Sequence, residues 1–194
     1  MIMNSTPEQE RTALNFSTLA KERFNFLHDL GFVEIESLPT IVRYRKDSIE
    51  VDVYHGRQSY EISFGVSHDG VRFSISEFIR AIDPEAAEKY RNPVATTQDV
   101  LAKSLLKLEK LVKQYCKQAL QGNQEVFKAL NIQRKTWAKK YELEVLAGQL
   151  RPRADEAFRL GRYQEAAELY ERIRPLLSLA EIKKLSIAEE RSAS

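Results

Sequence analysis

The stretch from Val42 to Ile75 alternates between apolar and polar residues, and this pattern constrains the fold more than any other feature of the chain. The apolar members are Val42, Tyr44, Ile49, Val51, Val53, Tyr60, Ile62, Phe64, Val66, Val71, Phe73 and Ile75. A period of two residues indicates strands with one buried face and one polar face. The short breaks between them, such as Asp69-Gly70, suit tight hairpins and leave no room for parallel crossovers. We therefore expect an α+β protein with a four-stranded antiparallel meander, covered by helices on one face.

The polar face of the predicted sheet carries acids on its middle strands and arginines on its outer strands. The acids Glu50, Asp52 and Glu61 could form a carboxylate cluster that binds a metal ion or acts as acid and base. The alternative is a ladder of cross-strand ion pairs, each worth roughly 0.2–1 kcal/mol. We favour the ladder, because no histidine, nucleophile or phosphate-binding loop is spaced to join the acids.

Composition and cysteine usage narrow the class of protein. A chain of 194 residues with 43% hydrophobic and 30% charged residues is typical of a globular protein. The single cysteine, Cys116, excludes an internal disulfide, suits a reducing cytosol and is expected in the core. The first ten residues do not resemble a signal peptide, and no apolar run approaches the roughly 20 residues of a membrane span. We expect a cytoplasmic protein without membrane association, catalytic residues, cofactor or metal.

A net charge of +2 conceals an uneven distribution along the chain. Residues 1–102 carry −5, residues 103–140 carry +8, and residues 141–194 carry −1. The candidate basic surface consists of Lys103, Lys107, Lys110, Lys117, Lys135, Lys139 and Lys140. Such a block could bind nucleic acid, but it is also what the solvated face of any amphipathic helix shows.

Helices are predicted on both sides of the meander. One runs from Phe16 to Leu30, and residues 32–37 could add a further short strand after it. Two short helices follow the meander, over residues 77–82 and 85–90, and Ser76 is the expected N-cap of the first.

Two long helices then form an expected antiparallel hairpin around the turn at Gly122-Asn123. The first begins at Thr96 or Thr97 and ends near Gln121, and the second spans residues 124–149 until Pro152 ends it. The apolar members of the second helix are Phe127, Leu130, Trp137, Tyr141 and Val145. The expected regions are the sheet (1–95), the hairpin packed on it (96–150) and a helical tail (151–194), in one continuous unit.

The tail is predicted as a helix, a turn at Gly161, a second helix, a break at Pro175 and a final helix capped by Ser178. Its segment LGRYQEAAELYERI resembles the middle of a tetratricopeptide repeat. The matching positions are Gly161, Tyr163, Ala166 and Tyr170. The match covers one repeat, whereas such arrays normally need about three. This resemblance implies protein–protein contact and no catalysis.

The whole chain also resembles a widespread type of uncharacterised bacterial protein of similar length. The elements that carry this resemblance are an Ala95-Thr96-Thr97 start to the long helix and a motif formed by Gln133, Arg134 and Trp137. Small α+β proteins with helical covers are common among bacterial immunity proteins, which is an analogy of fold.

Three functions are therefore weighed. The first is a cytosolic interaction module, of adaptor or immunity type, whose partner is another protein. Its candidate contact residues are Arg134, Trp137, Tyr141, Tyr163 and Tyr170, although core packing explains the same aromatics. The second is nucleic-acid binding through residues 103–140. The third is an enzyme that uses the carboxylates of the sheet with Tyr54 or His55.

Overall fold

The computed structural model describes residues 14–193. The first thirteen residues, where no signal peptide was expected, lie outside the described part of the chain. The chain divides into two compact units, one extending to Asn131 and one beginning at Ile132. The expected boundaries near residues 95 and 150 stay a prediction.

The first unit contains a five-stranded antiparallel sheet whose strands follow one another in chain order. The strands are β1 (Val33–Leu38), β2 (Ile41–Lys46), β3 (Ile49–His55), β4 (Ile62–His68) and β5 (Val71–Ser74). The predicted α+β class is confirmed, but the expected number of four strands is wrong. The additional strand β1 pairs with β2 from Val33, opposite Arg45, to Leu38, opposite Ile41. A bulge at Ile35 breaks its alternation and both its faces are largely exposed, so the period-two signal is weak there.

Two strand boundaries also differ from the sequence prediction. Tyr60 lies outside β4 with a φ of +54°, and its backbone N–H donates to the Gly56 carbonyl to close a loop. Ile75 begins a helix instead of ending β5, because the backbone N–H of Ser74 donates to Glu77 Oε2 at 2.8 Å. This capping box begins the helix two residues earlier than a cap at Ser76 would.

Helices cover the apolar face of the sheet and bury it. They are α1 (Phe16–Arg23), α2 (Phe26–Asp29), α3 (Ile75–Ile82), α4 (Pro84–Lys89), α5 (Gln98–Tyr115) and α6 (Lys117–Leu120). The helix predicted over residues 16–30 is therefore two short helices. The Thr97 cap of α5 is confirmed, since its side chain accepts a hydrogen bond from the Val100 N–H at 3.4 Å.

The core of the first unit is rich in aromatic contacts. Phe24 stacks on Phe64 of β4 with ring centroids 5.5 Å apart, which fixes the N-terminal helices on the sheet. The next helix, α7 (Gln124–Arg159), adds Phe127, which stacks on His68 at 4.4 Å with an angle of 10° between the ring planes. Leu130 of the same helix is also buried in this core.

The helix α7 continues through Pro152, where the sequence predicted its end. Proline removes one backbone hydrogen bond and normally kinks or breaks a helix. Here Ala147 and Leu150 before the proline, and Ala154 and Ala157 after it, are all buried in the core of the second unit. This packing on both sides of Pro152 holds the helix together across the missing bond.

From Gly161 onward the second unit follows the predicted order of helices and turns, whereas the separate tail helix predicted after Pro152 is the end of α7. Gly161 has a φ of +75° and lies in the turn after α7. This turn leads into α8 (Tyr163–Glu171). A short 3-10 turn contains Pro175, and α9 (Leu179–Ser192) begins at a capping box in which the Ser178 N–H donates to Glu181 at 2.6 Å.

Candidate functional site

Two of the three carboxylates in the predicted cluster on the sheet form ion pairs with arginines. Arg45 donates to Glu50 at 2.9 and 2.6 Å, and Arg72 donates to Asp52 at 2.7 and 2.6 Å. Glu61 is exposed and lies outside the named strands, in an isolated bridge with Val94. Within residues 14–193 no group of three metal-ligating side chains comes together. The structure thus pairs Glu50 and Asp52 with arginines on one charged face and places Glu61 outside the named strands.

The basic surface is partly neutralised within the first unit. Lys103 pairs with Asp99 at 2.7 Å, and Lys128, which lies in the same basic stretch but outside the candidate surface, pairs with Glu125 at 2.7 Å. The remaining candidates on α5 and α6, which are Lys107, Lys110 and Lys117, are exposed on the side away from the core. Their placement fits a solvated helix face.

The single cysteine and two of the histidines make structural contacts in the first unit. Burial raises the pKa of the Cys116 thiol, which makes it a poor nucleophile. His55 is buried, contacts the Ala95 carbonyl through Nε2 at 2.9 Å and stacks on Phe16. His28 contacts the Phe32 carbonyl through Nδ1 at 2.9 Å.

The two tyrosines predicted in the tail lie in or against the second core. Tyr170 is fully buried, and its hydroxyl donates to Asp155 Oδ1 at 2.6 Å. Hydrogen bonds from Lys184 and from Tyr170 lower the pKa of the Asp155 carboxyl, and burial raises the pKa of the Tyr170 phenol. Tyr163 packs edge-on against Phe158 at 5.7 Å. Both rings therefore have structural contacts.

A second polar contact ties α7 to α9 within this unit. The Glu181 carboxylate accepts a hydrogen bond from the Ser178 N–H, which lowers its pKa, and it lies 2.7 Å from Arg151 Nε. Arg151 also donates to the Leu176 carbonyl at 2.7 Å. These contacts fix the positions of the helices without creating a reactive group.

The middle of α7 carries two exposed aromatic side chains next to each other. Trp137 is 53% exposed and Tyr141 is 59% exposed, and their rings stack with centroids 6.4 Å apart and planes 9° apart. Arg134 precedes them and Val145 follows them on the same side of the helix, and both are exposed. We call Arg134, Trp137, Tyr141 and Val145 the aromatic stripe.

The aromatic stripe has the same spacing in the sequence as the buried residues at the beginning of α7. Phe127 and Leu130 precede Arg134 and Trp137 at helical spacings of three and four residues. The first two are buried in the core of the first unit, whereas the stripe residues belong to the second unit and have no core around them. The sequence pattern is the same in both parts, so only the structure separates core residues from exposed ones.

The charge around the stripe is positive. From residue 126 to residue 141 the chain has no Asp or Glu. Lys135 and Lys139 are exposed and make no ion pair with any residue between 14 and 193, while Lys140 lies 3.8 Å from Glu144. The stripe therefore combines large rings, a guanidinium and nearby cations, which are features of binding surfaces.

No family model matches this chain, and comparisons with curated proteins and with solved structures found no match. The tetratricopeptide-like character of the tail thus stays a prediction. Each helix found between residues 14 and 193 is too short or too polar to cross a lipid bilayer.

Proposed function

We propose that this chain is a non-catalytic protein–protein interaction module, of adaptor or immunity type, that contacts its partner through the aromatic stripe of α7. The observation that carries the proposal is the stacked and exposed pair of Trp137 and Tyr141. A single exposed apolar residue is ordinary, but two adjacent large rings beside an arginine are the residue types that dominate protein interfaces.

Burial of the two rings by a partner would be energetically favourable. Burying roughly 100 Å² more of each ring would contribute about 5 kcal/mol before the costs of association are subtracted. The two rings are also held on a helix, so little of their freedom would be lost on binding. A preorganised stacked pair suits a contact surface better than it suits a solvated helix.

The other polar groups support a role without catalysis. Arg45 and Arg72 occupy the carboxylates of Glu50 and Asp52, and burial suppresses the reactivity of Cys116. The single cysteine, which can form no disulfide within the chain, also supports our proposal that the module acts in the cytoplasm.

Nucleic-acid binding is the second candidate, and one observation favours it. The stretch between Glu125 and Glu142 is free of acids and contains both stacked rings, a combination that single-stranded nucleic acids can use through phosphate contacts and base stacking. Binding of this kind would depend strongly on salt and would be lost on nuclease treatment.

The experiment is affinity capture from a lysate of the native host with three forms of the chain. They are the unchanged protein, the double variant Trp137→Ala/Tyr141→Ala, and the control Ile132→Ala. Ile132 is 67% exposed on the same helix but points about 140° away from Trp137 around the helix axis. Each capture is run with and without nuclease and at two salt concentrations.

The proposal expects one protein to be recovered with the unchanged chain and with the Ile132 control, and to be lost with the double variant. It also expects recovery to survive nuclease. Equal recovery with the double variant would overturn the aromatic stripe as the contact surface. Recovery that collapses with nuclease would replace the proposal with the nucleic-acid candidate.

A further inference from the structure

The exposed part of α7 has the spacing of a coiled-coil seam. Arg134, Trp137, Tyr141 and Glu144 follow one another at intervals of three, four and three residues, which places them along one side of the helix. This order is symmetrical about position 139. When the helix is turned end for end about that point, Trp137 and Tyr141 exchange places, and so do Arg134 and Glu144.

We propose that a second copy of this chain packs on the seam of Arg134, Trp137, Tyr141 and Glu144, which shares its first three residues with the aromatic stripe, and that the two α7 helices are antiparallel. This inference rests on the proposed function, since it names the partner of the same surface. In this arrangement Trp137 packs on Tyr141 of the partner subunit, and Arg134 faces Glu144 of the partner subunit. The twofold axis repeats both contacts, as in any isologous dimer.

Charge complementarity selects this arrangement. Arg134 is exposed. The Glu144 side chain is 52% exposed, and its ion pair with Lys140 is loose at 3.8 Å. The Glu144 carboxylate can therefore accept further hydrogen bonds. A parallel pairing would place Arg134 against Arg134 and Glu144 against Glu144, which is unfavourable. An antiparallel pairing instead provides two ion pairs, one at each end of the seam.

The size of the contact predicts a weak dimer. The seam from Arg134 to Glu144 spans about 16 Å of helix at 1.5 Å per residue, which is short for a stable coiled coil. We therefore expect association in the micromolar range, which responds strongly to changes of single seam residues. Trp137 is the single tryptophan of the chain, so its emission reports on this seam and on no other site.

The test is sedimentation velocity over a wide range of concentrations, with circular dichroism to verify folding. Arg134→Glu and Glu144→Arg should each weaken dimerisation by about tenfold or more, because each places like charges together at both ends of the seam. The double variant Arg134→Glu/Glu144→Arg should restore dimerisation close to that of the unchanged chain. The matched control is Lys135→Glu, which makes the same charge change as Arg134→Glu but at the next residue, outside the seam. It should change the dimerisation constant by less than threefold.

Two further outcomes would overturn the proposal. One is an unchanged chain that stays monomeric at the highest concentration, with Trp137 emission that does not vary. The other is a double variant that dimerises no better than the single variants. If the chain is monomeric and lysate capture still depends on Trp137 and Tyr141, self-pairing fails and the interaction module stands. If capture is also independent of Trp137 and Tyr141, both the self-pairing and the interaction module are contradicted.

Discussion

Arg72 on β5 reaches across the neighbouring strand β4 to Asp52 on β3, and donates two hydrogen bonds at 2.7 and 2.6 Å. The guanidinium crosses directly over Gly65, which lies opposite Asp52 in the β3–β4 pairing. A Cβ atom at position 65 would lie 2.4 Å from Arg72 Cζ. The contact between Arg72 and Asp52 therefore depends on the missing side chain of Gly65.

Replacement of Gly65 by alanine tests this relationship. The added methyl group should displace the Arg72 guanidinium and weaken its paired hydrogen bonds. We expect Gly65→Ala to lower the free energy of unfolding by about 1 kcal/mol, since the pair is partly exposed. Chemical denaturation followed by circular dichroism measures this change.

The control is the same substitution in an Arg72→Ala background. There the clash is absent, and alanine costs less conformational entropy than glycine in a strand, so Gly65→Ala should be neutral or slightly stabilising. An equal loss of stability in both backgrounds would contradict the role assigned to Gly65.

Local signals in the sequence located many elements because their causes are local. The cap at Thr97, the turn at Gly161 and the capping box at Ser178 depend on residues a few positions apart. The strand β1 was underestimated because its bulge at Ile35 breaks the alternation. The continuation of α7 through Pro152 depends on packing from distant residues, which no local pattern records.

The sequence identifies which residues make up the candidate site but not whether their side chains are exposed. The sequence marks Trp137 and Tyr141 as candidate contact residues, yet core packing is the better explanation of their spacing. An apolar stripe that packs in the core and one that is exposed for a partner have the same helical period. The period in the sequence therefore does not tell a buried stripe from an exposed one. Glu144 was not singled out, although its position three residues after Tyr141 is a signal that could have identified it.

Acid should weaken the second unit through Asp155. Hydrogen bonds from Lys184 and Tyr170 lower the pKa of this carboxyl in the folded state. Its stabilising effect is therefore complete above the unfolded pKa of about 3.9 and is lost as the pH falls through the folded pKa. We expect Asp155→Asn to be less stable than the unchanged chain near neutral pH, and the two to converge in acid. Thermal unfolding at several pH values measures this.

Glu156→Gln provides the matched control for that experiment. Glu156 is adjacent and exposed, and it makes only a loose ion pair with Arg159 at 3.9 Å. Its substitution should leave the pH dependence of stability nearly unchanged. If Asp155→Asn and Glu156→Gln behave alike, the network around Asp155 does not stabilise the unit.

Pro152 offers a stabilising substitution. It cannot donate a backbone hydrogen bond to the Gly148 carbonyl four residues earlier, although the helix continues on both sides. We expect Pro152→Ala to restore that bond and raise the free energy of unfolding by about 1–3 kcal/mol. The exposed neighbour Arg153→Ala should change it by less than about 0.5 kcal/mol. A loss of stability in Pro152→Ala would show that the helix requires the proline.

The central claim is that the aromatic stripe of α7 is a protein-binding surface, and Trp137 allows a direct measurement of it. Fluorine NMR of the chain labelled with 5-fluorotryptophan gives one resonance, because the sequence has one tryptophan. At a chain concentration low enough for sedimentation to show a monomer, we expect this resonance to shift or broaden when nuclease-treated host lysate is added, to do the same in Ile132→Ala, and to respond less in Tyr141→Ala. A resonance that keeps the position and width of the purified chain in the lysate would contradict the claim.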